Sequence, residues 1–275
     1  MSFVIVDTEK CLHDGICVSV CPTNILFMNR ETKLPESVRN AEMRCIRCGH
    51  CVAVCPEGAV TVNGVRPEDC VPIDGKQQVP IDGIEQLIKS RRSIRSYKND
   101  RIDAGLLSRL IDIARYAPSG GNSQQVQWLV VNSPEEVRNY SSMAMEFYKG
   151  LLVSKHPIGD MYDVATMVKK WESGGDPILN GAPAFILAHA PKEYPVASVD
   201  SSIALSYIDI AANTMGLACC WAGFFMIAAS QSPSVLKAIN LPDGHFCAGA
   251  LMIGYPKNTY HRLPPRKEAK VLWRE

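Results

Sequence analysis

The run Arg44-Cys45-Ile46-Arg47-Cys48-Gly49-His50-Cys51-Val52-Ala53-Val54-Cys55-Pro56 limits what this chain can fold into more than any other stretch. Three thiols each separated by two residues, a fourth three residues further on, and a proline after it make the bacterial iron–sulfur spacing. On a tight loop the first three sulfurs reach three irons of one cubane, and the turn that follows carries the fourth thiolate away. A zinc site also uses paired C-x-x-C units. Three thiols in one knot followed by Cys-Pro suit zinc poorly.

A second copy of the knot lies upstream. Cys11, Cys17, Cys21 and Pro22 match Cys45, Cys51, Cys55 and Pro56, and the position matching Cys48 is Asp14. Both copies run on into short apolar stretches, Ile25-Leu26-Phe27 and Ala59-Val60-Thr61-Val62, which read as strands. This internal repeat resembles the two-cluster ferredoxins over about the first 65 residues. The resemblance implies a crossed arrangement. Cys45, Cys48, Cys51 and Cys21 would hold one four-iron cluster (4Fe-4S), while Cys11, Asp14, Cys17 and Cys55 would surround the other. Asp14 departs from the family pattern and leaves three states open: a carboxylate oxygen on a complete four-iron cluster, a three-iron cluster (3Fe-4S) with Asp14 facing the vacancy, or loss of that cluster. His13 and His50 are expected to pack beside the clusters without binding them. Cys70, which has no partner spacing, is expected to be a small buried residue.

Composition enters through the cysteines. Eleven in 275 residues would suggest disulfides in a small secreted protein. Here seven of them fall within the first 55 residues at ligand spacing, and Met1-Ser2-Phe3-Val4-Ile5-Val6-Asp7 lacks the basic start and long apolar segment of a signal peptide. The expectation is a reducing cytoplasm, that of an anaerobe. A net charge of +1 provides no field to attract nucleic acid or an anionic membrane. Residues 215–229 are almost all apolar and no charge occurs between Asp209 and Lys237. A spanning helix needs about 20 apolar residues, and Asn213, Gly216 and Gly223 interrupt this stretch. The end of a helix followed by a buried strand is expected, and no membrane span.

The predicted organisation is a small iron–sulfur domain over residues 1–75, a linker over 76–82 rich in turn residues, and a second domain over 83–275. Ile84, Leu87 and Ile88 fall on one helical face. The end of that helix delivers Arg91-Arg92-Ser93-Ile94-Arg95, where Arg91, Ser93 and Arg95 can point the same way once the chain is extended. Two guanidiniums and a hydroxyl make a phosphate clamp, although basic helix ends also occur simply as solvated dipole partners. An amphipathic helix is predicted over 103–116, then the polar loop Pro118-Ser119-Gly120-Gly121-Asn122-Ser123-Gln124 before a strand over 126–131. Small residues there allow close approach to a flat ligand, and the amides can read a heterocycle's edge. Ser133-Pro134-Glu135-Glu136 opens a helix to about residue 151. Residues 157–181 read as loop-rich, 183–188 as a buried strand, 197–215 as a long helix, and 246–255 as a closing strand.

These motifs together resemble the FMN-dependent nitroreductase family over about residues 83–270, through R-R-S-I-R, A-P-S-G-G-N-S-Q, the run from Gly216 to Gly223, and Gly254-Tyr255-Pro256. The whole chain is similar to a ferredoxin–nitroreductase fusion. The resemblance implies an α+β fold with a central, mainly antiparallel sheet among helices, and an intertwined homodimer with FMN at the subunit interface. By the same resemblance Arg91, Arg92, Ser93 and Arg95 contact phosphate and ribityl. Pro118, Ser119, Asn122 and Gln124 belong to a loop reaching the flavin, partly from the partner subunit. Trp221, Ala222 and Gly223 form a backbone strip near the reactive edge, and Arg262 binds phosphate, with Arg266 and His261 as further cofactor-binding positions. Cys219 and Cys220 are expected to be packed core.

No G-x-G-x-x-G and no Walker sequence occurs, and nothing suggests hydrolysis. The expected activity is an FMN-dependent oxidoreductase in which electrons arrive through two iron–sulfur clusters and a small, electron-poor, nitroaromatic-type acceptor is reduced. Reduced ferredoxin or NAD(P)H would be the donor. A quinone or enone reductase, or a non-catalytic relay to a partner protein, are the other readings.

Overall fold

The computed structural model describes residues 3–274. Met1, Ser2 and Glu275, and with them the outer ends of the N-terminal and domain readings above, lie outside the described residues. The chain divides into two compact units: Met1–Gln78 with Gly120–Ser123, and Val79–Ser119 with Gln124–Glu275.

The first unit is a repeat written in very short elements. Its strands are β1 (Val4–Val6), β2 (Leu26–Met28), β3 (Pro35–Ser37) and β4 (Val60–Val62). β1 pairs antiparallel with β4, Ile5 opposite Thr61, and β2 with β3, Phe27 opposite Glu36. Three single-turn helices, α1 (Ile16–Ser19), α2 (Ala41–Arg44) and α3 (His50–Ala53), sit between them. α1 and α3 are equivalent halves of the repeat. Each is entered through a glycine in the left-handed region, Gly15 at φ 68° and Gly49 at φ 72°, a conformation that costs glycine little. The reversal sends Cys17 and Cys51 into the first turn of the helix that follows. Ile25, Leu26, Ala41, Val52, Val60 and Val62 close a small core with Cys17 and Cys21.

The second unit is built on a four-stranded antiparallel sheet in the order β5-β6-β8-β7, with β5 Gln127–Val131, β6 Ala184–Pro191, β7 Ala218–Trp221 and β8 His245–Gly254. Its helices are α4 (Ile81–Ser90), α5 (Ala104–Ala114), α6 (Pro134–Val153), α7 (Pro157–Met161), α8 (Val164–Glu172), α9 (Ala197–Thr214), α10 (Gly223–Gln231) and α11 (Pro233–Ile239). β6 is central and covered on both faces, so Ala184 to Ala188 run continuously apolar instead of alternating. Ala184, Ile186 and Ala188 meet Leu110 of α5 and Ile208 of α9 in one core. Phe185 and Leu187 join Tyr148 of α6, Met167 of α8 and Phe225 of α10 in the other. Each such fully buried large side chain contributes about 1.5–3 kcal/mol of transfer free energy. The architecture is the expected α+β one, with an antiparallel central sheet.

Two local expectations change. Residues 157–181 are not mainly loop, because α7 and α8 occupy much of them. Val164, Met167, Val168 and Trp171 repeat at helical spacing, and the Asp163 carboxylate accepts from the Thr166 N–H at 3.3 Å, capping α8. Residues 215–229 hold the buried strand β7 and then a further helix, α10, absent from the sequence reading. Among the described residues no helix is long and apolar enough to cross a membrane. Cys219 and Cys220 are buried, while Cys70 is only half-buried and donates to the Arg66 carbonyl at 3.7 Å.

Candidate cofactor sites

In the first unit the cysteines sort into two cavities. Cys21, Cys45, Cys48 and Cys51 line one. Cys11, Asp14, Cys17 and Cys55 line the other. Each cavity therefore draws on both halves of the repeat. Among the described residues no three His, Cys, Asp or Glu side chains converge as they would on a single metal ion; ligands of a multi-iron body bind different irons and stand further apart. All eleven cysteines are free thiols.

Burial and crowding set how firmly these thiols hold their protons. Burial pushes the Cys51 thiol up to about 11, and the neighbouring Cys48 and Cys21 add to it. Burial, with Cys55, Cys11 and Asp14, raises that of Cys17. Burial also works to raise the Cys21 thiol, but N–H groups of Ile25, Thr23 and Asn24 and the Thr23 hydroxyl outweigh it and lower it. Clustered thiols of this kind lose their protons when a cationic body enters. Backbone donors also point at two further sulfurs: Arg47 N–H to Cys45 Sγ at 3.4 Å and Ala59 N–H to Cys55 Sγ at 3.2 Å. Asp14 Oδ1 accepts from Ile16 N–H at 3.0 Å, which fixes the carboxylate at the cavity wall. The His13 ring contacts the Lys33 carbonyl at 3.0 Å through Nδ1.

In the second unit Arg91 and Arg92 line one pocket of about 300 Å³ with Asp209, Asn213, Asn258, Thr259 and Tyr260. Arg91 Nη1 donates to Asp209 Oδ2 at 3.2 Å. Asp209 is 6% exposed, and burial raises its pKa while Arg91 works to lower it. Two buried atoms of this pocket, Arg92 Nε and Asp209 Oδ1, have no hydrogen-bond partner. With Asp209 neutralised by Arg91, the pocket keeps the Arg92 cation and a spare acceptor. Such a set suits a phosphate and a hydroxyl of a polyol phosphate. Arg91 and Arg92 line this pocket, while Arg95, Ser93 and Arg91 all act on the Cys220 thiol. The segment is irregular, with one isolated bridge from Tyr97 to Pro256.

The remaining expected positions are dispersed. Pro118, Ser119 and Gln124 line a second pocket with Trp128, Asp200 and Ala204; the Ser119 hydroxyl accepts from Gln124 N–H at 3.1 Å. Asn122 belongs to the first unit and donates from Nδ2 to the Ile46 carbonyl at 3.0 Å. Trp221 is partly exposed, and the Ala222 N–H is taken by the Ala250 carbonyl. Arg262 and Arg266 are exposed. Sequence reasoning missed Asp209 and Asn213 at this site. The signal was a carboxylate in the apolar second half of α9, between Ile208 and Ile210, with Asn213 one turn on.

The chain matches the nitroreductase family over residues 88–255 and a 4Fe-4S dicluster domain over residues 9–59. It belongs to the nitroreductase family, with a ferredoxin domain preceding the nitroreductase domain. It is 26% identical over 209 residues to an FMN reductase (NAD(P)H) of Bacillus subtilis, covering 70% of this chain and 74% of that protein. It resembles the crystal structure of a nitroreductase with bound FMN from Desulfitobacterium hafniense at TM-score 0.56 and 25% identity, over 69% of this chain and 97% of that one. The FMN-bound nitroreductase of Bacteroides fragilis shares the fold at TM-score 0.55 and 21% identity, covering 68% and 94%. The protein is thus an oxidoreductase of the flavin-dependent type.

Proposed function

We propose that this oxidoreductase takes electrons through its iron–sulfur unit and uses them to reduce a small, electron-poor acceptor of the nitroaromatic type. The observation that carries the reading is the sorting of seven thiols and Asp14 into two cavities, each fed by both halves of the repeat. When bound, iron–sulfur clusters supply single-electron transfer and FMN supplies two-electron reduction of the acceptor.

The residues do the rest. Cys21, Cys45, Cys48 and Cys51 hold one four-iron cluster as thiolates. Cys11, Cys17 and Cys55 would hold the second, with an Asp14 carboxylate oxygen as a harder and more readily displaced ligand. Arg92, with its unpartnered Nε, takes the flavin phosphate, and Asp209 holds Arg91 in place. The exposed Trp221 and the chain entering α10 border the flavin's reactive edge. The donor is a reduced ferredoxin-type carrier or NAD(P)H; the relative named as an FMN reductase (NAD(P)H) supports the second. The protein works as a homodimer, supported by the bare apolar side chains Ile81 and Ile88 of α4 and Val271, Leu272 and Trp273 of the tail.

Iron and flavin counts on anaerobically purified protein, followed by stopped-flow reduction with dithionite, test this. About six to eight irons per chain, a flavin band, and bleaching of both chromophores ahead of nitroaromatic turnover are expected. Flavin without iron, or bleached iron beside a flavin that stays oxidised, would overturn it. A panel of nitroaromatic, quinone and enone acceptors fixes the substrate class.

A further inference from the structure

One peptide group in the first unit is occupied at both ends. The Ile46–Arg47 peptide offers its N–H to Cys45 Sγ at 3.4 Å. Its carbonyl accepts from the Asn122 side-chain amide at 3.0 Å. Arg47 is left-handed, at φ 51°, a conformation that costs a residue with a Cβ and persists where surrounding contacts hold it. Asn122 and Ile46 are 76 residues apart, so the bond is no by-product of local chain geometry. Asn122 is itself left-handed, at φ 53°, a backbone state asparagine tolerates.

We propose that Asn122 is a positioning residue for the Cys21, Cys45, Cys48 and Cys51 cavity: by holding the Ile46 carbonyl it keeps the Arg47 N–H on the Cys45 sulfur, and so raises the reduction potential of the cluster bound there. The inference rests on the four-iron reading of that cavity. One-electron reduction adds one negative charge to the iron–sulfur body and its thiolates, with no bond made or broken. Hydrogen bonds to ligand sulfurs stabilise the more negative form and raise the potential. A donor at the carbonyl end polarises the peptide and strengthens the N–H at its other end. The second cavity provides an internal contrast. One of its sulfur donors is the Ala59 N–H, at 3.2 Å from Cys55 Sγ. Among the described residues no side-chain donor reaches the carbonyl of the same peptide, on Gly58. The two clusters therefore differ in a feature that only Asn122 supplies.

The test is an anaerobic redox titration of the holoprotein followed by EPR. Cys48→Ser, which removes a ligand of the first cavity, assigns the signals. Asn122→Gly keeps the left-handed backbone and removes the donor. Asn122→Asp keeps the shape, but an ionised carboxylate donates nothing. In Asn122→Gly the first-cavity cluster is expected to show a reduced-to-oxidised ratio about tenfold lower at the wild-type midpoint, equivalent to about 59 mV for one electron, with the other cluster unmoved. Asn122→Asp, with its added charge, is expected to shift further the same way. Both potentials unchanged, both shifting together, or flavin content falling while both potentials hold would each overturn the proposal. Wild-type protein without any cluster signal would instead remove the reading on which it rests.

Discussion

The two units reach a folded state by different means. The first has strands of three residues and helices of four. Its core among the described residues is eight side chains, two of them the cavity cysteines Cys17 and Cys21. The second covers both faces of one sheet with fully buried Tyr148, Phe185, Phe225, Leu110 and Ile208, and one of its helices runs 20 residues. Chains of fewer than about 80 residues seldom close a core unaided and recruit disulfides or metals. All eleven cysteines are free thiols, so the first unit has no disulfide. The difference teaches that iron, on the proposed reading, is a structural component of one unit and dispensable to the fold of the other.

Removing the iron is therefore the largest perturbation that separates them. Binding free energy at a structural metal site is folding free energy. Chelation under conditions that strip the clusters is expected to open the first unit to limited proteolysis, while a fragment beginning near Val79 survives intact. Within this unit the Asp14 cavity is expected to lose its iron first, and Asp14→Cys to slow that loss. A first unit as resistant to protease after iron removal as before it would erase the contrast.

The second unit should instead be sensitive to its buried charge. Arg91→Ala leaves Asp209, 7% exposed at the side chain, without its cation. Breaking a fully buried pair costs about 3–5 kcal/mol. Arg91 is 28% exposed, so water recovers part of that and about 2 kcal/mol is expected. Denaturant unfolding of the second unit reads the loss, and Asp209→Leu in the same chain should recover much of it. A change within about 0.5 kcal/mol, typical of surface substitutions, would show that the pair is not structural.

How far each unit was legible follows from the same contrast. The first could be read almost whole, because a ligand knot is a local object: spacing alone brings Cys45, Cys48 and Cys51 to one loop, and the repeat supplies the rest. The strand pattern of the second was legible too, since Pro183 to Ala188 is a bare apolar run. Asp209 was not, because its role needs α9 packed beside a residue 118 positions away. α8 was obscured by Gly174-Gly175, whose turn signal outweighed the apolar spacing from Val164 to Trp171. Asn122 was assigned to a flavin loop by its neighbours in sequence, and its bond to Ile46 depends on a tertiary contact that no spacing encodes.

The smallest expected effect concerns protons in the second unit. His189 is 5% exposed on β6 and faces His245 of β8, Nδ1 to Nδ1, at 2.9 Å. One ring donates and the other accepts, which two imidazolium ions could not do. Burial, then His245, lowers the His189 pKa. Cys247, opposite it in the strand register, is pushed up to about 12 by burial and stays neutral. A depressed histidine contributes stability that is complete above its unfolded pKa of about 6.5. As pH falls below that value the unfolded chain takes up a proton that the folded one refuses, and stability declines until the folded pKa is passed. The melting temperature of the second unit should thus fall between pH 7 and pH 5, and His189→Phe should flatten that slope. Asp209, whose folded pKa is raised, acts with the opposite sign at lower pH, so the wild-type-minus-variant difference isolates the histidine. An identical slope in both proteins would mean that the pair shares its proton without cost, and that the acid response of this unit lies elsewhere.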